Sequence, residues 1–310
     1  MHSLEDRFAW LENRVLFGEP LKKHCSLQIG GPADVFCQPC QMEEIWQILS
    51  ICKEEALPFF FLGNGSNMLF SDAGFRGVII SPLPNMQKME VVSNTIYAEA
   101  GSSLMKVAAL ARDASLAGLA WARGIPGSVG GAVVMNAGAY GGEICQVLER
   151  VSLLTPQGEV IEVPAEELDL SYRHSRLMES GEIVLSAWFR LAPGDKEEIA
   201  REGKELLQRR AKKQPLEYPS AGSTFKRPEG YFAGKLIQDA GLSGFQVGGA
   251  QVSPKHCGFV VNVGEATSED MVSLMREVRR RVLASFGVTL EPEVRYLGEN
   301  GEGWGTLLCE

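Results

Sequence analysis

The stretch Gly124-Ile-Pro-Gly-Ser-Val-Gly-Gly-Ala-Val-Val-Met-Asn-Ala-Gly-Ala-Tyr-Gly141 contains six glycines, three alanines and one proline, and it carries no charge. Glycine loses more conformational entropy on folding than any other residue, so a run this dense indicates a close approach of the backbone to something else. A wall of small residues with accessible N–H groups suits a large planar ligand with an anionic tail. The stretch therefore predicts a binding surface made largely of backbone.

A second glycine-containing loop, Gly63-Asn-Gly-Ser-Asn-Met68, follows residues 59–62, which predict a short buried strand. Its glycines expose N–H groups, and Ser66 and Asn67 add side-chain donors, as in a phosphate-binding loop. It is not a Rossmann fingerprint, because Met68 stands at the third glycine position, and it lacks the Lys-Ser/Thr of a Walker A loop. Alone, the loop is equally compatible with an ordinary turn, but two such loops favour a phosphate cradle.

A third small-residue turn lies in Ser220-Ala-Gly-Ser-Thr-Phe-Lys-Arg-Pro228. It presents the hydroxyl of Ser223 close to two cations, either as part of an anion-binding site or as a capped surface turn. The chain has no Gly-x-Ser-x-Gly elbow, so a hydrolase serine nucleophile is not indicated.

Two other stretches place arginines near carboxylates. In Ser171-Tyr-Arg-His-Ser-Arg176, which follows an acidic run, Arg173 is either a surface residue or part of a site. In Glu291-Pro-Glu-Val-Arg-Tyr-Leu297, strand alternation places Glu293 and Arg295 on one face. That face either meets solvent or lines a cleft, and nothing local decides between the two.

Composition narrows the class of protein. The 310 residues suffice for two or three domains, and the net charge of −9 argues against a nucleic-acid partner. No apolar run approaches the roughly 20 residues that span a bilayer, so no membrane partner is expected. The seven cysteines are scattered and no secretory signal precedes them, which indicates reduced thiols in the cytoplasm. Cys37-Gln-Pro-Cys40 lacks a second ligand pair, so we expect no metal site. We also expect a soluble monomer.

Apolar periodicity and chain breakers predict an α+β protein. Helices are expected over residues 5–16, 42–56, 104–117, 196–213, 233–240 and 268–286, and a turn at 156–158 predicts a hairpin. Pro193-Gly194 predicts a domain boundary. The arginines at 276, 279, 280 and 281 predict a solvated helix face, and the tail after Gly298 is expected to be loosely ordered.

Six motifs together resemble, in the same order, those of the UDP-N-acetylenolpyruvoylglucosamine reductase family (UDP-N-acetylmuramate dehydrogenases). They are Gln28-Ile-Gly-Gly-Pro-Ala-Asp34, Leu62-Gly-Asn-Gly-Ser-Asn-Met-Leu69, residues 124–140, Tyr172-Arg-His-Ser175, Ala221-Gly-Ser-Thr-Phe225 and Pro292-Glu-Val-Arg295. The resemblance covers roughly residues 21–298. It implies the vanillyl-alcohol-oxidase type of flavoprotein fold, with FAD-binding subdomains over 1–85 and 86–193, a substrate-binding α+β domain over 194–298 and a tail over 299–310. No substrate-covering insertion is apparent between residues 177 and 183, so the chain resembles the shorter branch of the family.

The resemblance also implies an activity. Family members reduce the enolpyruvyl ether of UDP-N-acetylglucosamine to UDP-N-acetylmuramate through FAD, with NADPH as hydride donor, for bacterial peptidoglycan precursors. UDP-N-acetylenolpyruvoylglucosamine is the substrate expected here. Two alternatives are another flavin-dependent oxidase or dehydrogenase of the same fold, acting on a sugar or lactone, and a non-catalytic nucleotide-binding module. Since the loop over residues 63–69 contains neither His nor Cys, noncovalent FAD is expected.

Residue roles follow from the same resemblance. Ser223 is expected to be the proton donor, with Arg173 and Glu293 as its catalytic partners. Cofactor-binding residues are expected at Gly63, Asn64, Gly65, Ser66, Asn67, Met68, Gly124, Ile125, Pro126, Gly127, Ser128, Gly130, Gly131, Asn136, Ala137, Gly138 and Tyr140. Substrate contacts are expected at Tyr172, Lys213, Arg227 and Asn262.

Overall fold

The computed structural model describes residues 3–305 and 307–308. The α-helices in this part of the chain are α1 Leu4–Phe8, α2 Met42–Glu54, α3 Leu104–Asp113, α4 Val129–Val134, α5 Lys196–Lys213, α6 Ala233–Asp239 and α7 Ser268–Phe286. The strands are β1 Val15–Pro20, β2 Pro32–Cys37, β3 Phe59–Phe61, β4 Met68–Phe70, β5 Phe75–Ile80, β6 Met89–Val92, β7 Thr95–Glu99, β8 Leu116–Ala117, β9 Gly138–Ala139, β10 Gly142–Glu143, β11 Leu148–Leu154, β12 Val160–Pro164, β13 Ile183–Arg190, β14 Ala192–Pro193, β15 Gln246–Val247, β16 Ala250–Val252, β17 Val260–Asn262 and β18 Arg295–Leu297. The predicted α+β class is confirmed.

The two long helices begin and end at the residues that the sequence predicts. Before α7, Thr267 Oγ1 accepts from the Asp270 N–H and the Asp270 carboxylate accepts from the Thr267 N–H, both at 3.0 Å, which is a capping box. The helix stops at Gly287, whose left-handed φ of 67° suits glycine. Asp195 caps α5 through the Glu198 N–H at 2.8 Å.

The predicted helix over residues 5–16 is wrong beyond Phe8. Glu12 has a left-handed backbone with φ of 53°, which a continuous α-helix excludes. The chain passes through a 3-10 segment, Ala9–Arg14, into β1, where Leu16 lies opposite Phe36 of β2. Strand pairing over a long sequence distance therefore overrides the local helical pattern.

The first subdomain is built on a four-stranded sheet with strand order β1-β2-β5-β3. β1 is antiparallel to β2, whereas β5 runs parallel to β2 and β3. Neighbouring side chains of β2 point to opposite faces, so Val35 packs with α2 while Phe36 packs with residues from the C-terminal segment. Both faces of this sheet are therefore covered.

The second subdomain contains an antiparallel five-stranded sheet with order β12-β11-β13-β7-β6. Helices α3 and α4 pack on it, and Val107, Val129 and Phe189 lie in their shared core. Helix α5 packs against α3 and the 3-10 segment Ala120–Gly124. The predicted boundary at residues 193 and 194 assigns α5 to the C-terminal domain, whereas the helix packs against the second subdomain. Near its end, the Ala211 carbonyl oxygen accepts from Lys255 Nζ of the C-terminal segment.

The C-terminal segment has a small antiparallel sheet, β15-β16-β17, beside α6 and α7. Strand β18 pairs elsewhere, parallel to β4 of the first subdomain, with Arg295 opposite Met68. A single core contains Ile79 of β5 together with Leu236 of α6 and Val278 of α7. The first and last predicted domains thus share a hydrophobic core, and their limits remain a prediction.

The expectation of a loosely ordered tail is wrong for the tail residues that are described. Trp304 Nε1 donates a hydrogen bond to the Val294 carbonyl oxygen at 2.6 Å, and Leu308 is buried.

Over residues 3–305 and 307–308, no helix is both long and apolar enough to cross a membrane. In the same residues, no three His, Cys, Asp or Glu side chains gather where they could hold a metal ion.

Candidate active site

A cleft of about 390 Å³ lies where three distant segments of the chain meet. The segments contribute Arg173 from the turn before β13, Ser223 from the loop before α6, and Glu293 from the residues before β18. Tyr172 and Arg227, which were predicted as substrate contacts, also line the cleft. The structure therefore brings all three predicted catalytic residues to one surface.

Arg173 and Glu293 form a buried ion pair. Arg173 Nε donates to Glu293 Oε1 at 2.5 Å, and Arg173 Nη2 donates to the Gly138 carbonyl oxygen at 3.1 Å. Their side chains are 20% and 11% exposed. Burial raises the pKa of Glu293 above its ordinary value, and the charge of Arg173 opposes that rise. Because two contacts fix the guanidinium fork, its remaining N–H groups have a defined direction.

The turn that carries Arg173 is held by the glycine-rich stretch. Arg173 itself has a left-handed φ of 56°. Asn136 Nδ2 donates to the Ser171 carbonyl oxygen at 2.9 Å, and Ser175 Oγ donates to the Val134 carbonyl oxygen at 2.7 Å. Asn136 was predicted to bind the cofactor, but its amide also binds Glu143 and the Cys145 N–H within the protein. The structure thus gives Asn136 a scaffolding position.

Ser223 is positioned by its neighbour Thr224, which the sequence interpretation did not assign to the site. The Thr224 N–H donates to the Gly258 carbonyl oxygen at 2.9 Å, and Thr224 Oγ1 accepts from the Val260 N–H at 2.8 Å. The Thr224 carbonyl oxygen accepts from the Glu293 N–H at 2.9 Å. One buried threonine therefore sets the spacing between the segments of Ser223 and Glu293. In the sequence, the position of Thr224 next to Ser223 in the small-residue turn was the signal that could have indicated this role.

The two glycine-containing loops lie against each other. Asn64 Nδ2 donates to the Pro126 carbonyl oxygen at 2.6 Å. A Cβ at Gly63 would lie 2.3 Å from Ser128 Oγ, so a larger residue would displace this side chain. A Cβ at Gly65, whose φ is 58°, would lie 2.0 Å from the His24 carbonyl oxygen. Close packing against Ser128 and His24 therefore accounts for these two glycines.

The same loop retains backbone donors for a ligand. Within the part of the chain that is described, none of the N–H groups of residues 63–67 donates to another protein group. Ser66 and Asn67 are half-buried beside these N–H groups. A row of unpaired backbone donors fits the diphosphate of a dinucleotide cofactor.

Asn67 joins this loop to the backbone of Glu293. Its Nδ2 donates to the Glu293 carbonyl oxygen at 3.0 Å, and its own carbonyl oxygen accepts from the Arg295 N–H at 2.9 Å. The parallel pairing of β4 and β18 continues this contact from Met68 onward. A cofactor bound on the loop therefore lies next to the strand that carries Glu293.

Arg295 is a candidate cofactor residue that the predicted site omitted. Across residues 3–305 and 307–308, its guanidinium has neither a hydrogen bond nor an ion pair. Burial lowers its pKa, with no carboxylate to offset the effect. Arg295 is half-buried and its backbone N–H binds Asn67, so its unpaired guanidinium fits an anionic group of FAD. Strand alternation, which puts it on the face of Glu293, was the signal in the sequence.

The rim of the cleft is aromatic and cationic. The Arg227 N–H donates to Tyr172 Oη at 3.2 Å, and the Arg227 guanidinium lies 4.0 Å from the ring centre of Phe232. Tyr172 and Phe232 are both exposed. These groups present a stacking surface and a positive charge to a ligand that enters the cleft.

His256 lines the cleft, and the predicted site omitted it as well. Its Nδ1 accepts from the Gly258 N–H at 3.1 Å, so a neutral ring carries its proton on Nε2. Burial, aided by the charge of Lys213, lowers the pKa of His256. Lys213, a predicted substrate contact, is exposed at the end of α5 near this ring rather than in the lining of the cleft.

Asn262 lies outside the lining of the cleft. It is buried, and its Nδ2 donates to the Leu27 carbonyl oxygen at 3.1 Å. Its Oδ1 accepts from the N–H groups of Gly264 and Ala266, each at 3.1 Å. The amide joins β17 to the first subdomain, and a substrate contact at Asn262 stays a prediction.

The other predicted cofactor residues lie between the loop before α4 and the hairpin formed by β9 and β10. Gly124, Ile125, Pro126, Gly127 and Ser128 lead into α4, Gly130 and Gly131 lie within it, and Ala137, Gly138 and Tyr140 follow it. Tyr140 is exposed at the turn between β9 and β10, with the Arg209 guanidinium 5.4 Å from its ring centre. Which of these residues contact FAD stays a prediction.

Comparison with known proteins identifies close relatives. Residues 214–297 match the family described as the C-terminal domain of UDP-N-acetylenolpyruvoylglucosamine reductase, and residues 33–164 match an FAD binding domain. A UDP-N-acetylenolpyruvoylglucosamine reductase of Agathobacter rectalis is 54% identical over 297 residues, covering 92% of this chain and 94% of the relative. One of Lachnoclostridium phytofermentans is 51% identical over 290 residues, with 92% and 94% covered. The crystal structure of UDP-N-acetylenolpyruvylglucosamine reductase from Thermus caldophilus matches with a TM-score of 0.78 at 35% identity, covering 91% of this chain and 97% of that one.

Proposed function

The chain belongs to the UDP-N-acetylenolpyruvoylglucosamine reductase family, and we propose that its cleft carries out the reaction of that family. The protein reduces the enolpyruvyl ether of UDP-N-acetylglucosamine to UDP-N-acetylmuramate, with noncovalent FAD and with NADPH as the hydride donor. The observation that carries this proposal is the meeting of Ser223, Arg173 and Glu293 in one cleft beside the loop over residues 63–68.

Arg173 is suited to stabilise charge that develops on the substrate. FAD, held by the loop over residues 63–68, would supply the hydride that the terminal vinyl carbon of the enol ether gains, with NADPH as its source. Negative charge then moves toward the substrate carboxylate. The guanidinium of Arg173, fixed by Glu293 and Gly138, supplies a preorganised positive charge for this anion.

Ser223 supplies the proton that completes the reduction. The carbon next to the new C–H bond must gain a proton, and the Ser223 hydroxyl lines the same cleft as Arg173. A serine hydroxyl is a weak acid, but an enolate is a strong enough base to take its proton at hydrogen-bonding distance. Glu293 orients Arg173, and its segment is spaced from that of Ser223 by Thr224.

The proposal extends to the setting of the reaction. The product is a peptidoglycan precursor, so the protein serves bacterial cell-wall synthesis. Six cysteines of the described chain are unpaired, which supports a reducing compartment, and we place the enzyme in the cytoplasm. We further propose a monomer, which light scattering on the purified protein tests directly.

Anaerobic stopped-flow spectroscopy tests the function. NADPH should bleach the visible absorption of the bound flavin, and UDP-N-acetylenolpyruvoylglucosamine should restore it. If both ligands use the cleft in turn, double-reciprocal plots will be parallel, whereas intersecting plots contradict the shared cleft. Rapid reoxidation by oxygen with formation of hydrogen peroxide, and no response to the sugar nucleotide, would instead identify a sugar or lactone oxidase.

A further inference from the structure

The strand segment that carries Glu293 has different partners on its two sides. On one side, Asn67 binds both the Glu293 carbonyl oxygen and the Arg295 N–H. On the other side, the Val294 carbonyl oxygen accepts from Trp304 Nε1 at 2.6 Å. The Trp304 ring also packs against Tyr296, with 5.3 Å between ring centres. The Thr224 carbonyl oxygen also holds this segment, because it accepts from the Glu293 N–H at 2.9 Å and from the Val294 N–H at 3.5 Å.

Two arginines of α7 hold the tail in place. Arg276 Nε donates to the Leu307 carbonyl oxygen at 2.5 Å, and Arg279 Nη1 donates to the Leu308 carbonyl oxygen. The prediction of a solvated face is therefore wrong for these two arginines. Arg280 and Arg281 differ, because they form ion pairs with Glu277 on their own helix.

We propose that the tail is a strap that positions Glu293, with Trp304 as the positioning residue. The proposal rests on the proposed role of Glu293 at the reaction site. The strap begins where the family match ends at residue 297, so its function is independent of the motifs that identify the family. The arginines at 276 and 279 anchor its far end, and the indole N–H transmits that anchoring to the backbone next to Glu293.

The geometry of the ion pair explains why such support matters. The Glu293 N–H is bound to Thr224, and the carboxylate reaches Arg173 Nε over 2.5 Å. Without the Trp304 contact, the segment from Glu293 to Arg295 keeps its contacts with Asn67 and Thr224. The Val294 carbonyl oxygen, however, loses its indole donor. A small rotation of this segment would misalign the guanidinium fork, and misplacement by about 1 Å at a reacting centre can cost 100-fold in rate.

The variant Trp304→Phe tests the strap because it keeps an aromatic ring beside Tyr296 but removes the N–H donor. We expect reoxidation of the reduced flavin by the enolpyruvyl sugar nucleotide to slow by about 10- to 100-fold. Flavin reduction by NADPH and the FAD content should stay unchanged. The control Arg280→Gln alters the same arginine cluster without touching the tail, and it should behave as the wild type.

Combination with Glu293→Gln separates positioning from general stability. If Trp304 acts through Glu293, Trp304→Phe should cause no further loss in the Glu293→Gln background. Three results would overturn the inference. Trp304→Phe could slow both half-reactions equally, it could leave the rate of the second half-reaction unchanged, or its loss could add to that of Glu293→Gln in the double variant. If Trp304→Phe does not fold, Arg276→Gln decides by the same criteria. If Glu293→Gln leaves the second half-reaction intact, the proposed role of Glu293 fails. If Glu293→Gln slows the second half-reaction but Trp304→Phe behaves as the wild type, only the strap proposal is overturned.

Discussion

Asn67 Nδ2 donates a hydrogen bond to the carbonyl oxygen of Glu293 at 3.0 Å, across 226 residues of sequence. This contact joins the loop that fits a cofactor diphosphate to the backbone of Glu293, whose carboxylate holds Arg173. The proposed cofactor loop and the Arg173–Glu293 ion pair are therefore parts of one hydrogen-bonded unit, and a change on either side is expected to reach the other.

Asn67→Ala should affect both functions of this unit. Loss of the amide removes one of the contacts that fix Glu293, so we expect the second half-reaction to slow by about tenfold, in line with one lost hydrogen bond. Flavin fluorescence during titration of the apoprotein should show weaker FAD binding. The control Ser66→Ala lies on the same loop but makes no contact with Glu293. A normal second half-reaction in Asn67→Ala would contradict the coupling.

Ser223→Ala should separate the two half-reactions. The hydroxyl is needed only for protonation of the substrate carbon, so reoxidation by the sugar nucleotide should slow by about 100-fold or more. Flavin reduction by NADPH should stay close to that of the wild type. Ser220→Ala, on the same segment but outside the cleft, is the matched control. Parallel losses in both half-reactions would indicate a binding or folding defect instead.

Arg173→Lys should be a severe change although the charge is kept. Lysine lacks the planar fork that reaches Glu293 and Gly138 at once, so the substrate anion loses its preorganised partner. We expect kcat to fall by about 100-fold or more, as for loss of one oxyanion donor. Arg176→Lys, whose partner Glu182 lies outside the cleft, should change kcat little. A normal kcat for Arg173→Lys would exclude the proposed role.

Arg295→Met should weaken FAD binding. The unpaired guanidinium beside Asn67 is expected to meet an anionic group of the cofactor, and a charged hydrogen bond contributes about 1.5–3 kcal/mol. The dissociation constant of FAD from the apoprotein should therefore rise by about 10- to 100-fold, measured by fluorescence quenching. Arg190→Met, at an exposed ion pair with Glu149, should leave the constant unchanged. Unchanged FAD affinity in Arg295→Met would mean that the guanidinium has another partner.

Glu277 should make stability depend on pH. Hydrogen bonds from Arg280 and Arg281 lower the pKa of Glu277 from 4.5 to about 2. Since the folded-state pKa is depressed, this contribution is present above pH 4.5 and is lost as pH falls toward 2. Glu277→Gln should therefore lower the urea midpoint at pH 7, and the difference from the wild type should shrink between pH 5 and pH 3. A constant difference over that range would contradict the assignment.

Local signals predicted much of this molecule. The capping box at Thr267 and the glycine at 287 determine α7 without help from the rest of the chain, and α5 likewise has its cap at Asp195. Motif order identified Ser223, Arg173 and Glu293, which the fold brings together. These features can be predicted because they depend on neighbouring residues or on short motifs that are visible in one sequence.

Features that depend on distant partners were missed. The family resemblance implies a substrate contact at Asn262, and only the fold shows that its amide donates to the Leu27 carbonyl oxygen. Nothing near Trp304 in the sequence indicates that Val294 is its acceptor. The unpaired state of Arg295 is likewise visible only once all its neighbours are placed.

The pairing of β4 with β18 has a consequence for how the protein is made. Met68 leaves the ribosome long before Arg295, which lies opposite it. The loop over residues 63–68 therefore stays incomplete while translation proceeds. Nascent chains that end before β18 lack half of this pair, so we expect the flavin nucleotide to bind only after Arg295 has been synthesised.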